Sequence, residues 1–180
     1  MHNNDKDWLL TVASVILVLA EIMFVFALIG VVIGIIAILT FAHGKVVADL
    51  AAAGAPDVTY WAVLAILVLV WGMLSLSMLF LRQLRAIVGT VDEGDPFLPD
   101  NAVRLARMGW YALGTQVCEF AGQPLVAAYG KYARGFTWGI STSGGQHVSL
   151  APLGLAVTLF ILARVFRQGA AMREDLVGTV

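Results

Sequence analysis

The sequence predicts an all-α integral membrane protein, a four-helix bundle with both termini in the cytoplasm. Three observations carry that expectation. Of 180 residues, 60% are hydrophobic and only 13% are charged, whereas a soluble domain averages about 25% charged residues. Four apolar runs approach or exceed the roughly 20 helical residues that span a bilayer core. The basic residues gather on one side of those runs, as the positive-inside rule requires of a cytoplasmic face.

The first run, 12–42, contains one charge, Glu21. It is far longer than a signal-peptide core, and the start "MHNNDKDW" is not basic, so it reads as a retained helix. The alanine-rich stretch up to Pro56 reads as a stub of helix and a turn. The second run, 58–81, contains no charge, and its helix is expected to continue through "RQLRAIVGTV". The cytoplasmic loop, 82–108, turns at "DEGDPFLP", after which Asp100 or Asn101 suits a helix N-cap. The third run, 109–130, contains only Glu119, and "GISTSGGQH" beyond it reads as a flexible or hairpin-like cap. The fourth, 148–166, closes at Arg164 and leads into a tail, 167–180. The whole chain, 1–180, is read as one transmembrane domain. Lys6, Arg82, Arg85, Arg104, Arg107, Arg164, Arg167 and Arg173 fall on the inner side, against Lys45, Lys131 and Arg134 outside.

Several function classes drop out early. A net charge of −1 gives no field to draw nucleic acid, so no direct nucleic-acid binding is expected. One cysteine, Cys118, excludes an internal disulfide and a cysteine zinc site. No nucleotide-binding loop, HExxH or GxSxG motif occurs. The expectation is a non-enzymatic protein with no catalytic residues, cofactor or metal, its first partner being the lipid bilayer.

The residues most able to carry chemistry are the two carboxylates inside apolar runs. Counted inward from Trp8 and Trp110 at about 1.5 Å per residue, Glu21 and Glu119 lie at depths of ~20 and ~14 Å. A carboxylate at such depth is expensive unless neutral, paired or facing a watery cavity. Gln116 and Gln123 share the helical face of Glu119 and complete a polar stripe, which Ser75 and Ser77 are placed to join. The plain reading is a hydrogen-bonded lock between helices; the sharper ones are a proton-sensitive site or a transport pathway. Trp71 reads as packed against a neighbour, and His43 and His147 as solvated interface residues. Gly30-x-x-x-Gly34 permits a close helix contact, within the chain or in a homo-oligomer.

The segments "EGDPFLPDNAVRLARMGW" and "RVFRQGAAMREDLVGTV" resemble those of the bacterial membrane family catalogued as domain-of-unknown-function family 2975. The matching positions are Gly94, Pro96, Phe97, Asn101, Leu105 and Gly109 in the first segment. In the tail they are Phe166, Gly169, Asp175, Leu176, Thr179 and Val180. The resemblance implies a multi-pass protein of the bacterial inner membrane, without established biochemical activity. It also implies a partner, a small cytoplasmic helix-turn-helix regulator. The docking surface then expected comprises Gly94, Pro96, Phe97 and Asn101 of the turn, with Arg173, Asp175, Leu176, Thr179 and Val180 of the tail. A small transporter or proton-sensitive channel using the carboxylates, and a structural oligomer, are the alternatives.

Overall fold

The computed structural model describes residues 4–92, 98–129, 132 and 149–177. All of the regular structure in them is helical: α1 (Asn4–Thr40), α2 (His43–Ala52), α3 (Val58–Asp92), α4 (Pro99–Tyr129) and α5 (Ala151–Val177). Three helices are long and apolar enough to cross a membrane, over Leu10–Thr40, Val58–Val91 and Ala151–Arg173. The third run of the sequence lies in α4, which does not qualify among the described residues. Its composition explains this, since Asn101, Arg104, Arg107, Gln116, Glu119 and Gln123 all lie within it.

The long helices pack in the order α1–α3–α4–α5, with α2 touching α1 and α3. Among the described residues, α1 and α5 make no comparable contact. The arrangement is an open row, with α3 and α4 inside and α1 and α5 at the edges. Such a row leaves apolar side chains outward: Met23, Phe26 and Ile33 of α1, and Val157 and Ile161 of α5, are exposed. In water this would be a severe liability; in lipid it costs nothing, since acyl chains are as apolar as leucine.

α1 meets the row along one seam. Leu10, Ser14, Leu17, Glu21, Phe24, Leu28, Val31, Ile35 and Ile38 are half-buried, at alternating spacings of four and three. That 3.5-residue repeat is the pattern of a left-handed, knobs-into-holes contact. Gly30 and Gly34 lie off the contact, because a Cβ built on either meets nothing within 4 Å. They therefore make no close helix packing within the chain, contrary to expectation.

The stub after α1 is the short helix α2. Its end is a Schellman motif: Ala55 N–H donates to Leu50 O (2.9 Å), Gly54 N–H donates to Ala51 O (3.0 Å), and Gly54 takes φ 71°. A left-handed residue at that position is what glycine supplies without steric cost. Val46, Leu50, Tyr60 and Leu64 form a small core there, against which Ile38, Ala42, Ala55 and Tyr132 pack. His43 is not merely solvated; its ring meets the edge of Tyr60 at 4.7 Å. His147 and the glycine-serine loop lie outside the described residues, as do Gly94, Pro96, Phe97, Thr179 and Val180.

A second core, Leu105, Met108, Leu159 and Ala163, joins α4 to α5, with Phe80, Leu84, Ile87, Ala106 and Phe166 around it. Trp71 is 43% exposed, so part of its ring faces outward.

Candidate functional site

The helix register follows from a few contacts. α3 and α4 run antiparallel. Gly72 lies 3.8 Å from Cys118 Sγ (measured from a built Cβ), and the backbone oxygen of Ala86 accepts from Arg104 Nη1 at 3.2 Å. α1 and α3 are likewise antiparallel, with Glu21 beside Arg85 at one end and Ile38 packed against the core containing Tyr60 at the other. Gly109 on α4 abuts the Phe160 ring of α5, which sets Arg164 level with Leu105.

Two consequences follow. First, Arg82, Arg85, Arg104, Arg107, Arg164 and Arg167 lie in one belt across α3, α4 and α5, and Glu21 of α1 lies in the same belt. Second, Glu21 and Glu119 do not meet. Glu119 is level with Trp71 and Glu21 with Arg85, and the stretch of α3 between them rises about 21 Å. The two acids therefore do not form one intramembrane site. Along the row, the level of Glu21 is set by Arg85, its partner on α3.

Glu21 Oε2 accepts from Arg85 Nη1 at 3.1 Å, with the two side chains 15% and 49% exposed. Glu21 Oε1 is buried and has no partner among the described residues. Because the arginine is half-exposed, solvent screening limits the strength of the pair. A double-mutant cycle of Glu21→Gln and Arg85→Gln, read by thermal unfolding in detergent, is expected to give a coupling of about 0.6 kcal/mol, with about 1.7 kcal/mol as its ceiling.

The polar stripe of α4 is only partly assembled. Gln116 Nε2 donates to Glu119 Oε2 at 3.3 Å, and Gln116 is buried, its Oε1 without a partner among the described residues. Gln123 makes no hydrogen bond among the described residues. Ser75 and Ser77 do not join the stripe; they donate to Trp71 O and Met73 O of their own helix, each at 2.8 Å. That i−4 bonding satisfies hydroxyls locally.

The best-formed polar constellation was not expected. α4 starts at Pro99, a position where a missing N–H is harmless, so Asn101 lies inside the first turn and does not cap it. Its Nδ2 donates to Thr90 Oγ1 at 2.7 Å, and Thr90 Oγ1 donates to Ile87 O at 2.7 Å. Asn101 Oδ1 accepts from Arg104 Nη1 at 2.9 Å. Asn101 is 0% exposed. It fastens the start of α4 to the end of α3, and it offers no surface to a docking partner, contrary to expectation. Of the tail, Arg173 is exposed, while Asp175 and Leu176 lie within the helical span of α5.

Membrane-length apolar helices, outward apolar faces and an arginine belt at one level define the chain as an α-helical membrane protein. No group of three or more His, Cys, Asp or Glu able to hold a metal ion occurs among the described residues. The model of the family described as protein of unknown function (DUF2975) matches residues 45–180, and the chain belongs to that family. The match includes Arg85, Asn101 and Arg104 and leaves out α1 with Glu21. No curated protein and no solved structure matches the chain.

Proposed function

We propose that the protein is a non-enzymatic, four-crossing protein of the bacterial inner membrane that holds a small cytoplasmic helix-turn-helix regulator at its arginine-belt end. In this reading α4 makes the fourth crossing, carried between α3 and α5, and the belt marks the cytoplasmic face.

The observation that carries the proposal is the unequal length of the helices beyond the belt. From Glu21 back to Asn4, α1 extends about 26 Å, and from Arg164 to Val177, α5 extends about 20 Å; from Arg85 to Asp92, α3 extends only about 10 Å. Both edge helices thus project past the corner between α3 and α4. On the α1 projection Trp8, Val12, Val15, Ile16 and Leu19 are 42–59% exposed. An apolar helical face of that kind accepts a partner helix. The transport reading has less support, because Glu21 and Glu119 lie about 21 Å apart along α3.

The test is copurification of the detergent-solubilised full chain with the small helix-turn-helix regulator. Deleting residues 173–180 and introducing Phe97→Ala is expected to lower recovery at least tenfold, with the helical content of the membrane domain unchanged. Equal recovery overturns the docking surface. A carboxyl-terminal tag labelled from outside intact cells overturns the orientation and the regulator contact with it.

A further inference from the structure

We propose that the groove between α4 and α5 at the belt is a binding site for the phosphate headgroup of an anionic phospholipid. The groove has a volume of about 440 Å³ and is lined by Ala106, Phe160, Ala163, Arg164, Arg167 and Gln168. Its chemistry is graded along α5. Phe160 and Ala163, with Ala106 opposite, make an apolar stretch toward the middle of the helices. Arg164, Arg167 and Gln168 follow within the next two turns, at the belt. Residues three and four apart share a helix face, so the three polar side chains border one opening.

Charge selects the ligand. Among the described residues, the lining holds two guanidinium groups and no carboxylate. Both arginines are exposed, and among the described residues neither makes an ion pair or a hydrogen bond. They differ in this from Arg85, which is paired with Glu21, and from Arg104, which bonds Asn101 and the Ala86 carbonyl. Guanidinium offers only donors, in a planar fork that suits phosphate oxygens. Gln168 adds an amide donor.

Position selects the source. Exposed Val157 and Ile161 on α5 place this edge of the row against acyl chains. A phospholipid lying there sets its phosphate at Arg164 and Arg167 and a chain along Phe160, which matches the grading of the groove. Basic pockets between transmembrane helices at the cytoplasmic surface recognise anionic headgroups in this way. The site rests on the membrane reading of α5 and is independent of the regulator, since its test contains lipid and the purified chain alone.

The experiment is titration of the full chain in neutral detergent with phosphatidylglycerol, phosphatidylcholine or inorganic phosphate, read by retained lipid in native mass spectrometry and by Tm. Phosphatidylglycerol is expected to bind and raise Tm, with phosphatidylcholine and inorganic phosphate at least tenfold weaker. The double variant R164Q/R167Q is expected to lose about 30-fold in affinity for phosphatidylglycerol, at roughly fivefold per arginine. R82Q/R107Q, which changes two belt arginines outside the groove, is expected to bind like the parent. R164K/R167K keeps the charge and is expected to retain most of the binding, which separates charge from folding.

Equal binding of the two lipids overturns the site, and that comparison needs no variant. Inorganic phosphate binding as tightly as phosphatidylglycerol makes the ligand a soluble anion and overturns the lipid assignment. An equal loss in R82Q/R107Q makes the attraction a property of the whole belt and overturns the groove.

Discussion

Replacing Asn101 with alanine is expected to cost about 2–3 kcal/mol of stability. The side chain is 0% exposed and bonded on both sides, donating to Thr90 Oγ1 at 2.7 Å and accepting from Arg104 Nη1 at 2.9 Å. Its removal takes away a charge-assisted bond and deprives Thr90 Oγ1 of a donor, in a site without room to rehydrate. Thermal unfolding in detergent, followed by circular dichroism, measures the loss. Thr90→Val removes the same contact from the other side, so N101A and T90V combined are expected to cost less than the sum of the single variants. A change below about 0.5 kcal/mol, the range of an ordinary surface substitution, refutes the fastening role of Asn101.

The second large effect is expected at Gly109. A Cβ there lies 2.9 Å from both Cε1 and Cζ of Phe160. The ring is also held edge-on against Trp110, with centroids 5.5 Å apart, so it cannot retreat freely. Gly109→Val is expected to destabilise by about 2 kcal/mol through overpacking, read by the same unfolding measurement. Gly114 provides the contrast. Its Cβ would meet Leu76 Cδ1 at 2.9 Å, the free end of a flexible side chain that can rotate away. Gly114→Ala also gains about 1 kcal/mol of helix propensity, so it is expected to be neutral or stabilising. Adding Phe160→Leu to G109V is expected to recover part of the loss; no recovery places the strain elsewhere.

The sequence was legible chiefly in its long helices. Apolar runs of membrane length announce the long helices, because lipid demands continuous apolar helix and little else competes with that signal. The extension of α3 past Leu81 was readable from "RQLRAIVGTV", and the stub after α1 from its alanines and Pro56. The family was readable from the turn and tail motifs. Hidden from the sequence was whatever depends on which helix faces which. α1 is apolar all round, so its seam at 3.5-residue spacing does not stand out from Leu10 to Ile38. Glu21 could be assigned a depth only by guessing where α1 meets the interface, and its Arg85 partner lies 64 residues away.

Asn101 was misread for a related reason. An asparagine just after a proline-rich turn ordinarily caps a helix, and only the neighbouring end of α3 turns it inward. Its one signal is that Thr90 and Asn101 are polar residues flanking the same turn. Ser75 and Ser77 suggested a stripe, but in a helix a serine can always bond its own preceding turn. The pairing of Gln116 with Glu119 was readable because both residues lie on one helix, where spacing alone decides the contact.

The open row has a consequence for how the chain enters the bilayer during synthesis. α1 precedes α3 in the chain and must stay in lipid before α3 exists to support it; apart from Glu21, its apolar surface over Leu10–Thr40 allows that. In the four-crossing reading proposed above, α4 has no such independence, since its arginines, glutamines and Glu119 argue against residence in acyl chains alone. It can settle only beside an α3 already in place, and α5 then seals its other side. The order in the chain is the order in the row, so each newcomer finds its template waiting, and the most polar helix never has to wait unaccompanied.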